Sequence, residues 1–459
     1  MNSFLDKPKI EYVLNHLQMR IEIDSTLRES FVFIKDRDFK TVPQGKIVFL
    51  LCDTHREESL KIGKVPLFYP IKMEITQHYT KENGSFIFTH DIMKQIFCLQ
   101  TLYYEREISR RDKLGRVVHE DGVNYRLNIT DIPVVDYLFE VIIEVIEQFS
   151  KKSFLVFKRK SAFDKFGFIL SHDVDRVESY NLYNTLNSVK QLTVLNGDYP
   201  AKIKRVNRHI GEFLKLSKRS NPLWDFEDMQ ALEHRFNLTS TFFFLGKGEL
   251  HKDAYYNFAD KNIKELIKQI EANKSEIGLH VTIKGNNSSD ILSSNLAKLQ
   301  QESTATVKGA RSHWLRFDIT KSGEILEALK IKYDSSISFY SKEGFRASTC
   351  LPYKLYSLEQ NRELDVWEVP LIFMECSLLD YQNVTEQEAL EKVSHLLNEV
   401  VKFKGVFTLL WHNGNFHKKM PFPRKEFYIK LLEMITNKSS TNITGAEVIA
   451  RWEKNNVRY

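Results

Sequence analysis

The chain has 459 residues, of which 42% are hydrophobic and 27% are charged, and its formal net charge is +6. This composition is typical of a globular protein with a substantial core and room for two or three domains. So small a charge for this length does not favour nucleic-acid binding, and the sequence has no zinc-finger or RNA-binding signature. No stretch approaches the roughly eighteen uninterrupted apolar residues that predict a membrane-spanning helix.

The four cysteines are scattered and form no C-x-x-C pair, so we interpret them as reduced thiols. The first residues lack a basic segment followed by an apolar one, and no signal peptide is predicted. Both observations make the cytoplasm the expected compartment. The aromatic content of 12% suits large packed cores and also sugar-binding surfaces.

Residues 1–150 are predicted to form a smaller N-terminal accessory unit of α+β or α/β type, with no function that the sequence reveals. Apolar residues recur at helical spacing from Ile10, and an apolar run over 47–52 indicates a strand. Asp91 is a candidate N-cap for a helix that runs to Tyr104. A long apolar helix is expected over 134–149.

From Phe166 onward, short apolar strands alternate with amphipathic helices. The predicted strands are 166–173, 239–246, 276–280, 309–314, 331–336, 366–374 and 405–412. A helix is predicted over 386–401, where Thr385 and Glu388 have capping-box spacing. Alternating strands and helices imply parallel pairing through right-handed crossovers. We therefore predict an α/β fold in which residues 166–455 form a distorted or incomplete (β/α) barrel of about seven parallel strands.

About fifty residues separate the first of these strands from Trp224, which is more than a simple crossover needs. This insertion, at about 178–222, is basic: between positions 201 and 220 it has seven Lys or Arg residues and one Glu. It could dock an anionic glycan or a lipid head group. A solvated helix face is the favoured interpretation.

Residues that can bind metal, move a proton or pair a charge follow most of the predicted barrel strands. They are Asp173, Asp175, His280, Arg311, His313, Asp334, Glu368 and His412. Because the carboxyl ends of barrel strands converge on one cleft, we expect these side chains to lie together. Any one of them has a purely structural explanation, since a lone His is more often hydrogen-bonded within the fold than a metal ligand. The agreement among six strand ends favours a catalytic site.

As an ordered set, these segments resemble the polysaccharide deacetylase family, the carbohydrate esterases that share the chitooligosaccharide deacetylase homology domain. The matching segments are Ser171–Asp175, Ser240–Phe244, Glu276–His280, Arg311, Tyr333–Ser336 and Leu410–His412. The resemblance covers roughly residues 166–452. The N-terminal part is similar to an uncharacterised domain that precedes the catalytic domain in some bacterial members, on the basis of residues 91–97, 112–116 and 133–136.

In this family one Asp and two His hold a divalent metal, usually zinc, which polarises the acyl carbonyl and activates a water. The resemblance implies that Asp175 and His280 are metal ligands. It also implies that Asp173 is the base that takes the water's proton, and that His412 is the acid that protonates the departing amine. Arg311 would hold Asp173 ionised.

The family's second metal-binding His lies four residues after the first, and in this chain that position is Lys284, which cannot ligate zinc. Three outcomes follow. His313 or His172 could replace the missing ligand, and we favour His313 because it ends an adjacent strand. The metal could instead be held weakly by Asp175, His280 and waters. Finally, the site could be metal-free, in a protein that only binds.

The leading prediction is hydrolysis of an N-acyl group, above all acetyl, from an amino sugar in a glycan or glycan precursor. Trp314 and Trp411 could stack on sugar rings, although such residues also cap barrel cores. Lys284 could anchor substrate, and a backbone N–H near Ser312 could help to bind the oxyanion. The alternatives are a catalytically inactive glycan-binding protein on the same barrel and an amidohydrolase that acts on a non-sugar amide. The sequence does not predict the sugar or the oligomeric state.

Overall fold

The computed structural model describes residues 4–52, 61–70, 76–177, 189, 199–213, 223–247, 253–254, 256–416 and 423–455. Within this part of the chain, the backbone forms two sheets and one separate small hairpin. The smaller sheet belongs to the N-terminal part, and the larger one holds the polar strand ends.

The N-terminal part contains a four-stranded sheet, a separate two-stranded hairpin and several helices. The strands of this part are β1 (Phe31–Lys35), β2 (Ile47–Leu51), β3 (Lys61–Ile62), β4 (Val65–Pro66), β5 (Tyr79–Glu82) and β6 (Ser85–Phe88). The sheet order is β1-β2-β6-β5, in which only β5 runs antiparallel to its neighbour, while β3 and β4 form the hairpin. The helices are Lys7–Gln18, Ser25–Glu29, Ile92–Gln100, Val123–Arg126 and Val134–Ser153. A smaller unit of mixed helices and strands therefore precedes the large sheet, as predicted.

The helix Ile92–Gln100 begins at the predicted cap and ends earlier than predicted. The carboxylate of Asp91 accepts a hydrogen bond from the backbone N–H of Lys94 at 2.9 Å. The helix stops short of Tyr104 because Leu102 adopts a φ of 55°, in the left-handed region that a helix does not contain. The prediction was right about the cap and wrong about the C-terminal end.

The larger sheet is curled and open, and its strands are mostly parallel. The strands are β7 (Gly167–Val174), β8 (Ser240–Leu245), β9 (Glu276–Val281), β10 (Gly309–Ser312), β11 (Tyr333–Asp334), β12 (Tyr353–Ser357), β13 (Arg362–Glu368), β14 (Phe373–Met374), β15 (Val406–Leu410) and β16 (Thr441–Asn442). They follow the order β12-β13-β11-β10-β9-β8-β7-β15-β14, with β16 beside β7, and only β12 and β13 pair antiparallel. Among the described residues β12 and β14 do not pair, so the predicted incomplete (β/α) barrel is confirmed.

Helices alternate with these strands, as the sequence predicts. They are Tyr199–Phe213, Phe226–Arg235, Lys261–Ala272, Ser289–Glu302, Ser322–Ala328, Glu375–Leu379, Glu386–Lys402, Arg424–Thr436 and Gly445–Asn455. The helix Glu386–Lys402 has the predicted capping box between Thr385 and Glu388. Its residues Val393 and Leu397 are buried in one hydrophobic cluster with apolar residues of β15. This burial fixes the helix on the sheet.

Several predicted strands end earlier in the structure than in the sequence analysis, and two of these differences have a clear backbone cause. The segment 366–374 is divided between β13 and β14, because Pro370 has no N–H for a ladder hydrogen bond. The segment 309–314 leaves the sheet after Ser312, since Trp314 and Leu315 have φ values of 62° and 54°. Both breaks lie at the edge of the sheet that carries the polar side chains.

The helix Lys7–Gln18 covers the edge strand β12. The backbone carbonyl of Lys354 accepts a hydrogen bond from the Tyr12 hydroxyl at 2.8 Å, and the backbone N–H of Lys354 donates to His16 Nε2 at 3.0 Å. An uncovered edge strand would leave such groups open to another chain. The N-terminal part therefore completes the edge of the large sheet.

A buried carboxylate also links the two parts. Asp136, on the helix Val134–Ser153, accepts hydrogen bonds from Arg20 Nη2 at 2.7 Å, from Thr349 Oγ1 at 2.8 Å and from the Cys350 N–H at 2.8 Å. The N-terminal helix and the barrel thus share a fully satisfied polar anchor. The division of the chain into units 1–150 and 166–455 stays a prediction.

Three other sequence interpretations concern the rest of the chain. Apart from residue 189 and the helix Tyr199–Phe213, the predicted basic insertion at 178–222 lies outside the described residues. No helix in the described ranges has both the length and the apolar character needed to cross a bilayer. All four cysteines lie in the described ranges, and none of them forms a disulfide there.

Candidate active site

Polar side chains from several strand ends meet at the carboxyl edge of the large sheet. Asp175 Oδ1 lies 3.2 Å from His280 Nε2 and 3.6 Å from His313 Nε2. The other oxygen of Asp175, Oδ2, lies 3.9 Å from His412 Nε2. Asp173 Oδ2 lies 3.5 Å from His280 Nε2. The structure thus brings together the predicted base, acid and metal ligands, which are far apart in the chain.

Asp175, His280 and His313 form a group that could hold a metal ion, because one ligand atom of each lies within 4.8 Å of the others. Asp175 Oδ1 and His280 Nε2 are buried and make no hydrogen bond to a described group. The opposite nitrogens of the rings are occupied: His280 Nδ1 lies 2.8 Å from the Arg311 carbonyl, and His313 Nδ1 lies 3.1 Å from Asp253 Oδ1. Such partners fix the tautomer in which Nε2 can ligate. These residues fit a divalent metal such as zinc.

The charges of this group depend on one another. Burial opposes ionisation of Asp175, but the imidazoles of His313 and His280 outweigh it and hold the pKa of Asp175 well below its usual value. Burial also disfavours the charged form of His313, yet the carboxylates of Asp175 and Asp253 raise the pKa of His313 to about 9. A metal ion would compete with a proton for this ring, so binding should weaken as pH falls.

Arg311 braces Asp173 from behind. Its Nη1 donates to Asp173 Oδ1 at 3.1 Å and to Ser171 Oγ at 2.8 Å, and its Nε donates to the Ser335 carbonyl at 2.8 Å. The guanidinium also lies 4.4 Å from the ring centroid of Phe243. Since Arg311 and Asp173 are both buried, each compensates the charge of the other. Only the second oxygen of Asp173 faces the histidines.

His412 is oriented by Glu375, a residue that the sequence analysis missed. Glu375 Oε1 lies 2.7 Å from His412 Nδ1 and accepts from the His412 N–H at 2.9 Å and from Asn415 Nδ2 at 2.7 Å. Burial raises the pKa of Glu375, but the charge of His412 outweighs it and lowers that pKa to about 2. Burial lowers the pKa of His412, and Glu375 raises it well above its usual value. The geometry therefore favours a protonated His412 that presents Nε2 to the cleft.

Glu375, Cys376 and His412 form a second group with spacing suited to a metal. Because His412 Nδ1 and Glu375 Oε1 are already hydrogen-bonded to each other, we interpret this group as a support for His412. Its signal in the sequence was the position of Glu375 directly after the predicted strand 366–374, but the sequence analysis took Glu368 as the polar end of that segment. Asp253, the support of His313, lies between β8 and β9 and had no such signal.

The three predicted substrate-binding residues have different surroundings. Trp314 is 38% exposed and follows His313 at the rim of the site. Trp411 is fully buried against Tyr428, with ring centroids 4.8 Å apart, so the prediction that it stacks on a sugar is wrong. Lys284 is exposed, in the turn after β9.

Two other predicted roles concern atoms with neighbours elsewhere in the fold. His172 Nδ1 lies 2.8 Å from the Trp411 carbonyl and its Nε2 lies 2.9 Å from Glu233 Oε1, and His172 belongs to neither group of described residues that could hold a metal. The N–H of Ser312 itself donates to Ser336 Oγ at 2.8 Å, so the predicted oxyanion contact would have to come from a neighbouring N–H. His313 is therefore the replacement ligand that the geometry favours.

Asp334 and Glu368 lie at strand ends but form a separate buried pair. Burial raises the pKa of Asp334 to about 6, and burial together with the charge of Asp334 raises the pKa of Glu368 well above its usual value. Glu368 Oε1 accepts from the Ile337 N–H at 2.9 Å, and Asp334 Oδ2 accepts from the Ser336 N–H at 2.8 Å. These carboxyls hold the backbone beside the site.

Comparison with known proteins gives matches to both parts of the chain. The sequence profile of a family of unknown function, DUF7033, matches residues 2–151. No curated protein matches this chain. A proposed polysaccharide deacetylase from Mycobacterium smegmatis is similar in structure, with a TM-score of 0.40 and 15% identity, over 64% of this chain and 93% of that one.

Two other solved structures match a similar share of this chain. A proposed polysaccharide deacetylase involved in O-antigen biosynthesis, from Bordetella bronchiseptica, has a TM-score of 0.30 and 12% identity over 63% of this chain and 90% of its own. A pseudoenzyme of the CE4 family from Bacillus anthracis has a TM-score of 0.30 and 11% identity over 62% of this chain and 66% of its own. Likenesses with TM-scores below 0.5 are weak, and the fold of this chain rests on its own strand order.

Proposed function

We propose that this protein hydrolyses an N-acyl group, above all N-acetyl, on an amino sugar of a glycan or glycan precursor. The observation that supports this most is the convergence of Asp175, His280 and His313 between Asp173 on one side and His412 on the other. A carboxylate base, an imidazolium acid and an open ligand set are the parts that amide hydrolysis needs.

Asp175, His280 and His313 would hold a divalent metal, for which zinc is the leading candidate because two of the three ligands are imidazoles. When bound, the metal would polarise the acyl carbonyl and acidify the attacking water. Asp253 and the Arg311 carbonyl keep the two rings in place. The basis for this assignment is that Asp175 Oδ1 and His280 Nε2 are buried 3.2 Å apart and neither makes a hydrogen bond to another described group.

The proton steps are assigned to Asp173 and His412. Asp173, with one oxygen held by Arg311, takes a proton from the water as the water oxygen bonds to the carbonyl carbon. His412, charged through its contact with Glu375, gives the Nε2 proton to the amide nitrogen as the C–N bond breaks. The products are a free amine on the sugar and a carboxylate such as acetate. Solvent then removes the proton from Asp173 and returns a proton to His412, which restores both residues to their starting states.

The test uses the purified full chain, assayed for metal content and for hydrolysis of N-acetylglucosamine oligomers and nucleotide-linked N-acetyl sugars. We expect about one zinc per chain, and a rate loss of about 10²- to 10⁴-fold in Asp173→Asn and in His412→Ala. Matched controls are Asp164→Asn and His234→Ala, which change exposed residues away from the cluster.

Other outcomes separate the remaining candidates. Unchanged activity in both Asp173→Asn and His412→Ala would reject the mechanism. A chain without metal that still binds sugar after Asp175→Ala would be a glycan-binding protein. Hydrolysis of non-sugar formamides or ureides in preference to amino sugars would indicate an amidohydrolase of another class.

A further inference from the structure

A wide groove lies between the N-terminal part and the barrel. Its volume is about 1140 Å³, large enough for several sugar rings. One wall comes from residues 119–131 of the N-terminal part. The other comes from barrel segments 340–343 and 381–382 and from the helix Glu386–Lys402. Neither part forms the groove alone.

Exposed aromatic side chains are concentrated at this groove. Tyr125 is 54% exposed and Tyr381 is 50% exposed. Tyr340 packs edge-on against Tyr381, with ring centroids 5.7 Å apart. In the part of the chain that the structure describes, the other large exposed aromatic residues are Trp314, at the rim of the candidate active site, and Phe154. A single exposed aromatic residue is common, but several that line one groove mark a candidate binding surface.

The polar groups in the groove are ordered and carry charges of both signs. Glu343 accepts hydrogen bonds from Gln382 Nε2 at 2.6 Å and from Lys392 Nζ at 3.1 Å. Lys342 Nζ donates to Gln382 Oε1 at 3.0 Å. Acidic residues such as Glu391 offset the cations, so the groove lacks the excess of positive charge that a nucleic acid requires.

This combination suits a glycan better than an apolar peptide. One face of a pyranose ring carries C–H groups that pack on an aromatic ring, and its edge carries hydroxyl groups that bond to polar side chains. Tyr125 and Tyr381 supply the first kind of contact. Exposed polar residues that line the groove, such as Glu120 and Asn128, supply the second kind.

Short contacts link the groove to the candidate active site. Arg116 donates from Nη1 to the backbone carbonyl of Trp314 at 2.9 Å, and its guanidinium lies 3.6 Å from the ring centroid of Tyr340. Trp314 directly follows the metal-capable His313. On the other side, Tyr381 lies just beyond the short helix Glu375–Leu379, whose first residue holds His412.

We propose that the groove binds a stretch of the same glycan some sugar units away from the acyl group that is cleaved. The preferred substrate is then a polymer or long oligosaccharide, and the N-terminal part contributes to binding it through Tyr125. This inference rests on the proposed function for the identity of the sugar. It assigns a role to residues 119–131 that neither the barrel nor the cluster of ligands supplies.

The test compares N-acetylglucosamine disaccharide and octasaccharide as substrates for the metal-loaded full chain. Tyr125→Ala and Tyr381→Ala should each raise the KM for the octasaccharide by about 3- to 10-fold, the loss of one aromatic contact, and should change the KM for the disaccharide much less. Phe154→Ala is the matched control, because it removes an exposed aromatic ring outside the groove, and it should change neither KM.

Binding of octasaccharide to Asp173→Asn, measured by calorimetry, separates this inference from the proposed function. The full chain could fail to hydrolyse either substrate while Tyr125→Ala, added to Asp173→Asn, weakens octasaccharide binding by about 3- to 10-fold. That result would support the groove as a glycan-binding site and reject the proposed reaction. Equal effects on both substrates, or no effect on either, would overturn the groove assignment. So would a change in self-association on sedimentation with glycan binding intact, since the tyrosines would then form a protein interface.

Discussion

Asp136 in the N-terminal part and Asp175 in the barrel are both carboxylates beside cationic groups, but they are completed in different ways. Both oxygens of Asp136 accept hydrogen bonds from Arg20, Thr349 or the Cys350 N–H. Asp175 Oδ1 is buried and accepts none from a described residue. A saturated carboxylate holds two surfaces together, whereas one whose buried oxygen faces imidazole nitrogens is arranged for a ligand. The comparison distinguishes a buried carboxylate that stabilises the fold from one that is arranged to bind a ligand.

The largest effect that tests this comparison is expected from Asp136→Ala. The change leaves the charge of Arg20 buried without a partner and removes the acceptor of Thr349. The free energy of unfolding should fall by about 3–5 kcal/mol, as for other broken buried pairs. Urea denaturation measures the loss, and zinc content per folded molecule should stay the same. Asp175→Ala should do the reverse, losing zinc with a smaller change in the stability of the metal-free chain.

Asp365→Ala is the control for this prediction. Asp365 pairs with Lys354 at 2.6 Å, but its side chain is 65% exposed, so the loss should be below about 1 kcal/mol. Equal losses for Asp136→Ala and Asp365→Ala would mean that burial does not distinguish the two pairs. Loss of zinc from folded Asp136→Ala would mean that the anchor and the ligand set are one system.

Much of the barrel could be predicted from the sequence, because a buried parallel strand is a continuous apolar run and its end is a polar residue. That rule correctly predicts that Asp175, His280 and His412 lie at one edge of the sheet. It missed Glu375, which directly follows the predicted strand 366–374, because Glu368 was taken as the polar end of that segment. In the structure Glu368 ends β13, and β14 is a separate strand of two residues after Pro370. One apolar run can therefore contain two strand ends.

Other features depend on packing that no local pattern encodes. Trp411 looks like a rim residue in sequence, yet its ring is buried because the helix Arg424–Thr436 brings Tyr428 against it. Asp253 reaches His313 from a connection with no periodic pattern. The groove could not be predicted from the sequence, because its walls come from both the N-terminal part and the barrel, and no local pattern specifies how these two parts lie against each other.

An intermediate effect is expected from Asp253→Asn, which probes the support of a proposed ligand. The amide can still accept a hydrogen bond from His313 Nδ1, but it no longer raises the basicity of the ring by its charge. Zinc affinity should fall by about 10- to 100-fold, the usual effect of altering a residue that orients a metal-binding His. Competition with a chromophoric chelator measures the affinity.

The same substitution at Asp260 is the control. Asp260 accepts a hydrogen bond from the Asn257 N–H at 2.8 Å next to the helix Lys261–Ala272, and it makes no contact with the cluster of ligands. Asp260→Asn should leave zinc affinity unchanged. If Asp253→Asn also leaves it unchanged, His313 is not a ligand, and the metal would be held by Asp175 and His280 with waters.

The smallest effect concerns the pH dependence of stability in the N-terminal part. Burial lowers the pKa of His16 from 6.5 to about 3 and outweighs the hydrogen bond to the Tyr12 carbonyl, which favours the charged form. The other ring nitrogen accepts from the Lys354 N–H. Below pH 6.5 the unfolded chain therefore binds a proton that the folded chain does not.

The stability that this His contributes is complete above pH 6.5 and should decrease by about 1.4 kcal/mol for each pH unit below it. In His16→Gln the amide oxygen can still accept from the Lys354 N–H, but the group does not titrate. Urea denaturation of both proteins between neutral and moderately acidic pH gives the slope of the free energy of unfolding against pH for each. The other buried histidines contribute equally to both slopes, so their contributions cancel in the difference. Parallel curves would show that His16 is protonated in the folded state. The helix Lys7–Gln18 would then cover β12 without the hydrogen bond that now completes the sheet edge.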